Sequence, residues 1–227
     1  DADTPWIYFG TGRYVTSGDP ASTTVQSWYG LRDDNAVITG RGVLKERKIV
    51  ANGILNGKKV RAFESKVYNS TTNDMAGKQG WYIDLVNNPQ SNAEKIGERI
   101  VGTPIVRNNS LLVSSIIPSL DACASGGSGY VNVVDLFSGS SGIPGASGYL
   151  DINGNGIYTD DKLTDANGVA VSVGSIDLGV FMPTDAIVLI GPTAVITAGG
   201  SQGGLGSVRG PNDNIFGRIS WRELINN

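Results

Sequence analysis

The fold of this chain is decided by the stretch Gly80-Trp81-Tyr82-Ile83-Asp84-Leu85 and by the strand-like runs that follow it as far as Phe137. Between these runs stand turn residues such as Asn108-Asn109, and the last run ends at Ser138-Gly139. Short runs of β-branched and aromatic residues bounded by turn residues predict β-strands. We therefore predict one antiparallel unit of four strands over residues 80–137.

A second block with the same pattern precedes this one. It starts at Trp6-Ile7-Tyr8-Phe9-Gly10, continues around Trp28, and includes Asn56-Gly57 between strand-like residues 43–50 and 58–64. Asn-Gly tolerates positive φ at both positions and is a strong signal for a two-residue hairpin. Further strands are predicted at residues 98–101, 103–106, 111–117, 130–137, 170–173, 176–181, 186–190, 194–197 and 215–221. Residues 92–99 are the best helix candidate, but Gly97 interrupts them.

The composition limits the classes of protein to which the chain can belong. It has 227 residues, of which 32 are Gly and 9 are Pro, and 40% of the residues are hydrophobic. The sequence has no histidine and one cysteine, Cys123, which excludes a Ser-His-Asp site, a His-ligated zinc and an internal disulfide. The net charge of −3 with no basic stripe argues against nucleic-acid binding. No apolar run approaches the roughly 18 residues of a membrane span.

These patterns predict an all-β protein with a single domain over residues 1–227. Short strands at close spacing with glycine-rich turns are typical of a sandwich, a barrel or a propeller, and periodicity alone does not separate a sandwich from a propeller. Two regions break the strand pattern and are predicted to be surface loop insertions, near residues 138–169 and 198–213. In the second region, residues 198–206 contain five glycines.

The sharpest chemical signal is the loop from Asp151 to Asp161, which begins with the pattern D-x-N-x-N-G of a calcium loop. Calcium prefers six to eight oxygen ligands, and alternate side chains in such a loop converge on one point. Position 9 is Thr159 and position 12 is Lys162, so later acidic residues would have to complete the shell. The alternative is an Asn-Gly turn without an ion. The predicted Ca²⁺ ligands are Asp151, Asn153, Asn155, Ile157 through its carbonyl, Asp160 and Asp161.

Other signals for chemistry are weaker. We expect most of the strand aromatics to pack in the core, although a sugar-binding platform, and with it a lectin-like function, is an alternative. A carboxylate-based, glycan-active hydrolase would need two facing acids, and no spacing suggests them. Gly199-Gly200-Ser201-Gln202-Gly203 has the letters of a nucleophile elbow, but no helix and no histidine accompany it. The aromatics in question are Trp6, Tyr8, Trp28, Tyr29, Trp81, Tyr82 and Trp221.

Several strings together resemble one known family. The chain resembles the C-terminal β-propeller domain of the PilY1/PilC family of type IV pilus tip-associated adhesins and assembly factors. The resemblance extends over nearly the whole length. It rests on residues 6–14, 26–31, 80–85, Gly97-Glu98-Arg99-Ile100, Asp121-Ala122-Cys123 with Gly126-Gly127, and Arg218-Ile219-Ser220-Trp221-Arg222-Glu223.

The resemblance implies a propeller of four-stranded antiparallel blades and a non-enzymatic module on the bacterial surface, at the extracellular pilus tip. It also implies calcium-dependent control of pilus extension and retraction, adhesion to a host or surface receptor, and contacts with pilin or minor pilins. The family's best-known calcium loop, an Asp-rich string, would lie before Trp6 and is not in this sequence, nor is an Arg-Gly-Asp motif.

The length of the chain leads to a further expectation. At roughly 40–50 residues per blade, the chain would form only about four or five blades. We therefore expect the C-terminal part of a longer propeller, with the rest of the same propeller as a partner and with exposed sheet edges where the blades would meet. A cysteine outside the chain is a candidate partner for Cys123, and the sequence leaves this pairing open.

Overall fold

The fold is all-β, as predicted. A computed structural model describes residues 4–67, 71–87, 94–107, 109–119, 126–142, 148–191 and 193–210. Within these ranges the chain forms two short 3-10 turns and no α-helix. The described residues therefore include no helix that is long and apolar enough to cross a membrane. Cys123, Trp221 and the strand predicted at 215–221 lie outside the described residues. The strands are β1 Trp6–Gly10, β2 Ser27–Arg32, β3 Lys45–Arg47, β4 Ile49–Leu55, β5 Lys58–Phe63, β6 Gly80–Asp84, β7 Ile105–Arg107, β8 Ser110–Ile117, β9 Ser128–Asp135, β10 Lys162–Thr164, β11 Ala170–Ile176, β12 Ile187–Leu189, β13 Val195–Gly199 and β14 Leu205–Arg209.

The first sheet has four strands in the order β1-β2-β6-β3, and all its neighbours are antiparallel except the parallel pair β3–β6. The predicted four-stranded unit over residues 80–137 is therefore wrong, because β6 pairs with β2 rather than with β7, β8 or β9. The reason is tertiary. Trp81 lies opposite Gly30, where even a Cβ would come within 2.4 Å of the indole ring. The indole N–H of Trp81 also donates to the Leu136 carbonyl at 3.0 Å, which ties this sheet to the next one.

The second sheet has seven strands in the order β4-β5-β11-β9-β8-β7, with β10 also paired to β11. The hairpin predicted at Asn56-Gly57 is confirmed, since Leu55 pairs with Lys58 and the two turn residues have φ values of 47° and 74°. Its first strand is β4, not residues 43–50 as predicted. The chain passes from the first sheet to the second between Arg47 and Ile49, because β3 pairs with β6.

The third sheet has three strands in the order β12-β13-β14. The loop predicted at residues 198–206 instead includes the end of β13, a short turn and the start of β14, with Gly199 paired to Leu205. The glycines mark a tight hairpin here rather than a long insertion. Residues 98–101, predicted as a strand, make only an isolated bridge between Arg99 and Ile116.

The three sheets are stacked, and the central strands of the second sheet are buried on both faces. Alternate residues of β8 point in opposite directions, so that Leu111 and Val113 face the first sheet while Leu112 faces the third. A buried cluster around Trp28 and Trp81 fills the space between the first two sheets, and the two indole rings meet edge to face at 5.5 Å. The central strands β8, β9 and β11 are accordingly buried along most of their length, including their Ser and Asn residues.

A buried ion pair lies within the second sheet. Arg61 on β5 donates to both carboxylate oxygens of Glu98, at 2.6 and 2.7 Å, and both side chains are fully buried. Ser115 on β8 donates to the same carboxylate, and the Arg61 guanidinium lies 3.7 Å from the centroid of the Tyr130 ring. Glu98 comes from the segment before β7, so the pair connects a loop to three strands of the sheet.

The predicted propeller architecture is not established by these residues. Within the described part of the chain the sheets have four, seven and three strands and do not close into a ring. Only the first sheet has the four strands that were predicted for each blade, and it includes a parallel pair.

Candidate functional site

The predicted calcium loop begins at a point where the core meets the third sheet. Leu150 and Ile152, which flank Asp151 in the chain, are buried in the cluster between the second and third sheets. Their burial fixes the position of Asp151. The N–H of Asp151 donates to the carbonyl of Arg209 on β14 at 3.2 Å. Asn56, in the β4–β5 turn, donates from its side chain to the Ile152 carbonyl. The loop thus contacts both sheets.

The carboxylate of Asp151 organises the turn that follows. Its two oxygens accept the N–H groups of Gly154 at 2.7 Å and of Gly156 at 2.8 Å. These two glycines have φ values of +77° and +84°, a conformation that other residues adopt only with strain. The side chains of Asn153 and Asn155 each accept the N–H two residues further on, at 2.9 and 2.6 Å, so the loop is a series of tight turns.

The structure brings together the polar ends of three other predicted ligands. One oxygen of Asp160 lies 3.3 Å from the side-chain nitrogen of Asn153 and 2.7 Å from that of Asn155. The remaining predicted ligand of the turn, Ile157, has an exposed side chain, and its N–H donates to Asn155.

Asp161 is directed inward rather than toward solvent. Its carboxylate accepts the N–H of Ile152 at 3.0 Å, and its carbonyl accepts the N–H of Val173 on β11. Burial raises the pKa of Asp161 above its ordinary value, and the nearby carboxylates of Asp160 and Asp151 raise it further, against the opposing effect of the Ile152 N–H. Asp161 therefore anchors the loop, and the charge around it is predominantly negative.

The donor set of the loop suits a hard cation. Across the described ranges, no group of three or more Asp, Glu, His or Cys side chains is placed to hold a metal ion. Amide and carbonyl oxygens would therefore have to complete the coordination, as they do in calcium sites. A set of oxygen ligands that includes carboxylates fits Ca²⁺ better than a transition metal.

The strand aromatics give the carbohydrate-binding alternative little geometric support. Trp28 and Trp81 are completely buried, as expected for core packing. On the outer face of the first sheet, the rings of Phe9, Tyr29 and Tyr82 stand side by side, with centroids 5.1 and 6.0 Å apart. The guanidinium of Arg41 covers Tyr82 at 4.5 Å. Arg41 therefore covers the Tyr82 ring and the Phe9 and Tyr29 rings stack on each other, although the Phe9 side chain is still 38% exposed.

Sequence reasoning missed Arg209, a cation that lies against the loop. One guanidinium nitrogen of Arg209 lies 3.5 Å from a carboxylate oxygen of Asp151. The two residues are 58 positions apart in the sequence, and no local pattern marks Arg209 as part of a site. Only the pairing of β14 with the start of the loop reveals the contact.

The fold and the loop together define an all-β domain of stacked sheets that carries a series of tight turns rich in Asp and Asn. No protein-family model matches the chain. A Type IV pilus biogenesis factor PilY1 homolog of Xylella fastidiosa (strain Temecula1) is 33% identical over 226 residues, which cover 97% of this chain and 16% of that protein. The Type IV pilus biogenesis factor PilY1 of Pseudomonas aeruginosa (strain PAO1) is 26% identical over 148 residues, which cover 59% of this chain and 12% of that protein.

A solved structure supports the same relationship at the level of the fold. The crystal structure of the Pseudomonas aeruginosa PilY1 C-terminal domain matches with a TM-score of 0.67 and 19% identity, covering 89% of this chain and 41% of that one. The chain is thus a relative of PilY1 proteins with the fold of their C-terminal domain, which confirms the resemblance seen in the sequence. The matched region spans only 16% of the length of the Xylella relative.

Proposed function

We propose that this chain is a non-enzymatic module of a type IV pilus biogenesis factor and that it acts through protein contacts at the pilus. The observation that carries the proposal is the 33% identity to a PilY1 homolog over 97% of the chain. The absence of histidine from the sequence supports a role without catalysis, because it removes the commonest general base. We place the module outside the cell at the pilus tip, where it would contact pilin or minor pilins and a host or surface receptor.

We further propose that the loop over residues 151–161 binds Ca²⁺ and stiffens the junction between the second and third sheets. Asp151, Asn153, Asn155 and Asp160 would supply side-chain oxygens, and the Ile157 carbonyl would add another. Asp161 would hold the loop from its inner side through the Ile152 N–H. With few charged ligands, we expect a dissociation constant of about 10⁻⁴–10⁻³ M, as in extracellular calcium modules.

The propeller remains our proposal for the complete domain. Three sheets packed face to face resemble successive blades, and the chain covers 41% of the PilY1 C-terminal domain that it matches. Strand β1, paired only with β2 among the described strands, borders a groove whose lining includes Phe9, Val15 and Val101. These side chains are exposed apolar groups, which is what a neighbouring blade would cover. We propose that the rest of the same propeller docks there.

The pilus role can be tested by complementation in a bacterium that carries this gene. Deleting the gene should abolish surface pili, twitching motility and attachment, and the full-length gene should restore them. A version that lacks residues 1–227 should fail to restore them although the truncated protein is exported. Normal piliation and attachment with the truncated version would refute the proposed role of this module.

The calcium site can be tested by isothermal titration with Ca²⁺. The chain should show a binding heat that Asp151→Asn reduces strongly, because the substitution removes the first charged ligand while it keeps a hydrogen-bond acceptor for the Gly154 N–H. Asp165→Asn is the matched control, since Asp165 also accepts two loop N–H groups, from Asn167 and Val169, in a separate turn. Equal heats in all three proteins would refute the site.

A further inference from the structure

Arg209 is attached to the proposed calcium loop by its backbone, whereas its side chain is partly exposed to solvent. Its carbonyl accepts the N–H of Asp151 at 3.2 Å, which fixes the end of β14 against the first residue of the loop. Its guanidinium lies 3.5 Å from the Asp151 carboxylate, and 41% of its side chain is exposed, whereas the side chain of Asp151 is fully buried. The guanidinium can therefore leave the carboxylate without breaking the strand.

Arg209 and a calcium ion would use the same negative charge. Among the first three predicted ligands, only Asp151 carries a full charge; Asn153 and Asn155 are neutral. The guanidinium also lies above the turn, 3.9 Å from where a Cβ of Gly156 would stand. Two positive charges at such short separations repel each other, and the repulsion is strong beside a buried carboxylate because solvent screens it poorly.

A cleft beside the loop contains a second positive charge. A cleft of about 280 Å³ is lined by Lys58, residues 151–154, Val195 and residues 207–209. Lys58 donates to the Ser207 carbonyl at 3.3 Å at one side of this cleft. Its ammonium adds a second positive charge to the cleft, which opposes the approach of a divalent cation from this side.

We propose that Arg209 is an internal competitor of calcium that raises the calcium concentration needed to load the loop. This inference rests on the proposed calcium site and adds the residue that sets its threshold. In the calcium-free loop, Arg209 neutralises Asp151 and keeps the turn folded. Calcium binding displaces the guanidinium toward solvent, so part of the binding free energy is spent on breaking this ion pair.

The test is isothermal titration with CaCl₂ at low ionic strength on the wild-type chain and three variants. Arg209→Gln should bind Ca²⁺ about threefold to tenfold more tightly, the range expected for removing one partly exposed charge near the ion. Arg209→Lys keeps the charge and should stay near the wild-type affinity. Arg32→Gln is the matched control, because Arg32 forms a similar surface pair with Asp34 at 2.7 Å, and it should leave the affinity unchanged.

Two further results separate this inference from the calcium site itself. The gain in Arg209→Gln should shrink as the salt concentration rises, since salt screens the repulsion. Calcium binding that depends on Asp151 but is equally strong in wild type and Arg209→Gln would overturn the role of Arg209 and leave the site standing. If neither wild type nor Arg209→Gln binds Ca²⁺, both the site and the inference fail.

Discussion

The buried pair of Arg61 and Glu98 provides the sharpest test of how this fold is held together. In Glu98→Gln, the side chain keeps its shape but loses its charge. One of its two terminal atoms becomes an NH₂ group, which cannot accept the hydrogen bonds that Arg61 and Ser115 now donate to Glu98. The substitution leaves the guanidinium of Arg61 buried without the carboxylate that is paired with it.

The size of the effect follows from the burial of both side chains, which are 0% exposed. Removing one partner of a buried pair costs about 3–5 kcal/mol, because the remaining charge stays desolvated. For a chain of this size, each kcal/mol lowers the melting temperature by about 2–4 °C, so we expect a decrease of about 6–20 °C. The neighbouring hydrogen bonds from Arg61 to Ser175 and Asn132, both at 3.2 Å, cannot replace the lost charge.

Thermal unfolding followed by circular dichroism measures this effect. Glu64→Gln is the matched control, since Glu64 forms a partly exposed pair with Lys45 at 3.3 Å and should cost less than about 1 kcal/mol. The double variant Arg61→Met with Glu98→Gln should lose less stability than the sum of the two single variants, because the unpaired charge is gone. If Glu98→Gln and Glu64→Gln shift the melting temperature equally, the buried pair does not stabilise the sheet as argued.

Three further predictions address the packing, the hairpin and the acid sensitivity. Gly30→Ala should cost about 1–3 kcal/mol of stability, because the new methyl group would meet the Trp81 ring at 2.4 Å, whereas Gly42→Ala, with no neighbour within 4 Å, should be nearly neutral in the same urea titration. Gly57→Ala should cost about 1–2 kcal/mol in urea unfolding, because the hairpin holds this residue at a φ of 74°. Backbone N–H groups hold the pKa of Asp19 below its ordinary value, so its stabilising effect is present above its unfolded-state pKa of about 3.9 and is lost as the pH falls below that. Melting temperatures measured from about pH 5 down to pH 2 should therefore fall less steeply in Asp19→Asn than in wild type; equal slopes would contradict the assignment.

The sequence predicted the strands better than it predicted their partners. The Asn56-Gly57 hairpin was found because the signal is local: both residues adopt positive φ, and the two strands follow each other directly. The pairing of β6 with β2 was missed because it depends on the fit of Trp81 over Gly30, two residues 51 positions apart. No periodicity within either strand records that fit.

The same distinction applies to the candidate site. The residue spacing from Asp151 to Asp161 suggested an oxygen-lined loop, and the structure brings Asn153, Asn155 and Asp160 together. Whether the loop binds calcium stays a prediction. The inward orientation of Asp161 could not be predicted, because it depends on the burial of Ile152 against the core between two sheets.

The sequence by itself determined the all-β class, the resemblance to PilY1 proteins and the position of the loop, because strand periodicity, turn residues and motif spacing are local properties of the chain. Only the tertiary structure decided that the sheets have four, seven and three strands, that Arg61 and Glu98 are buried together, and that Arg209 lies against Asp151. The physical reason is that these features arise from packing and electrostatic contacts between residues far apart in sequence, whose free energies depend on burial and distance.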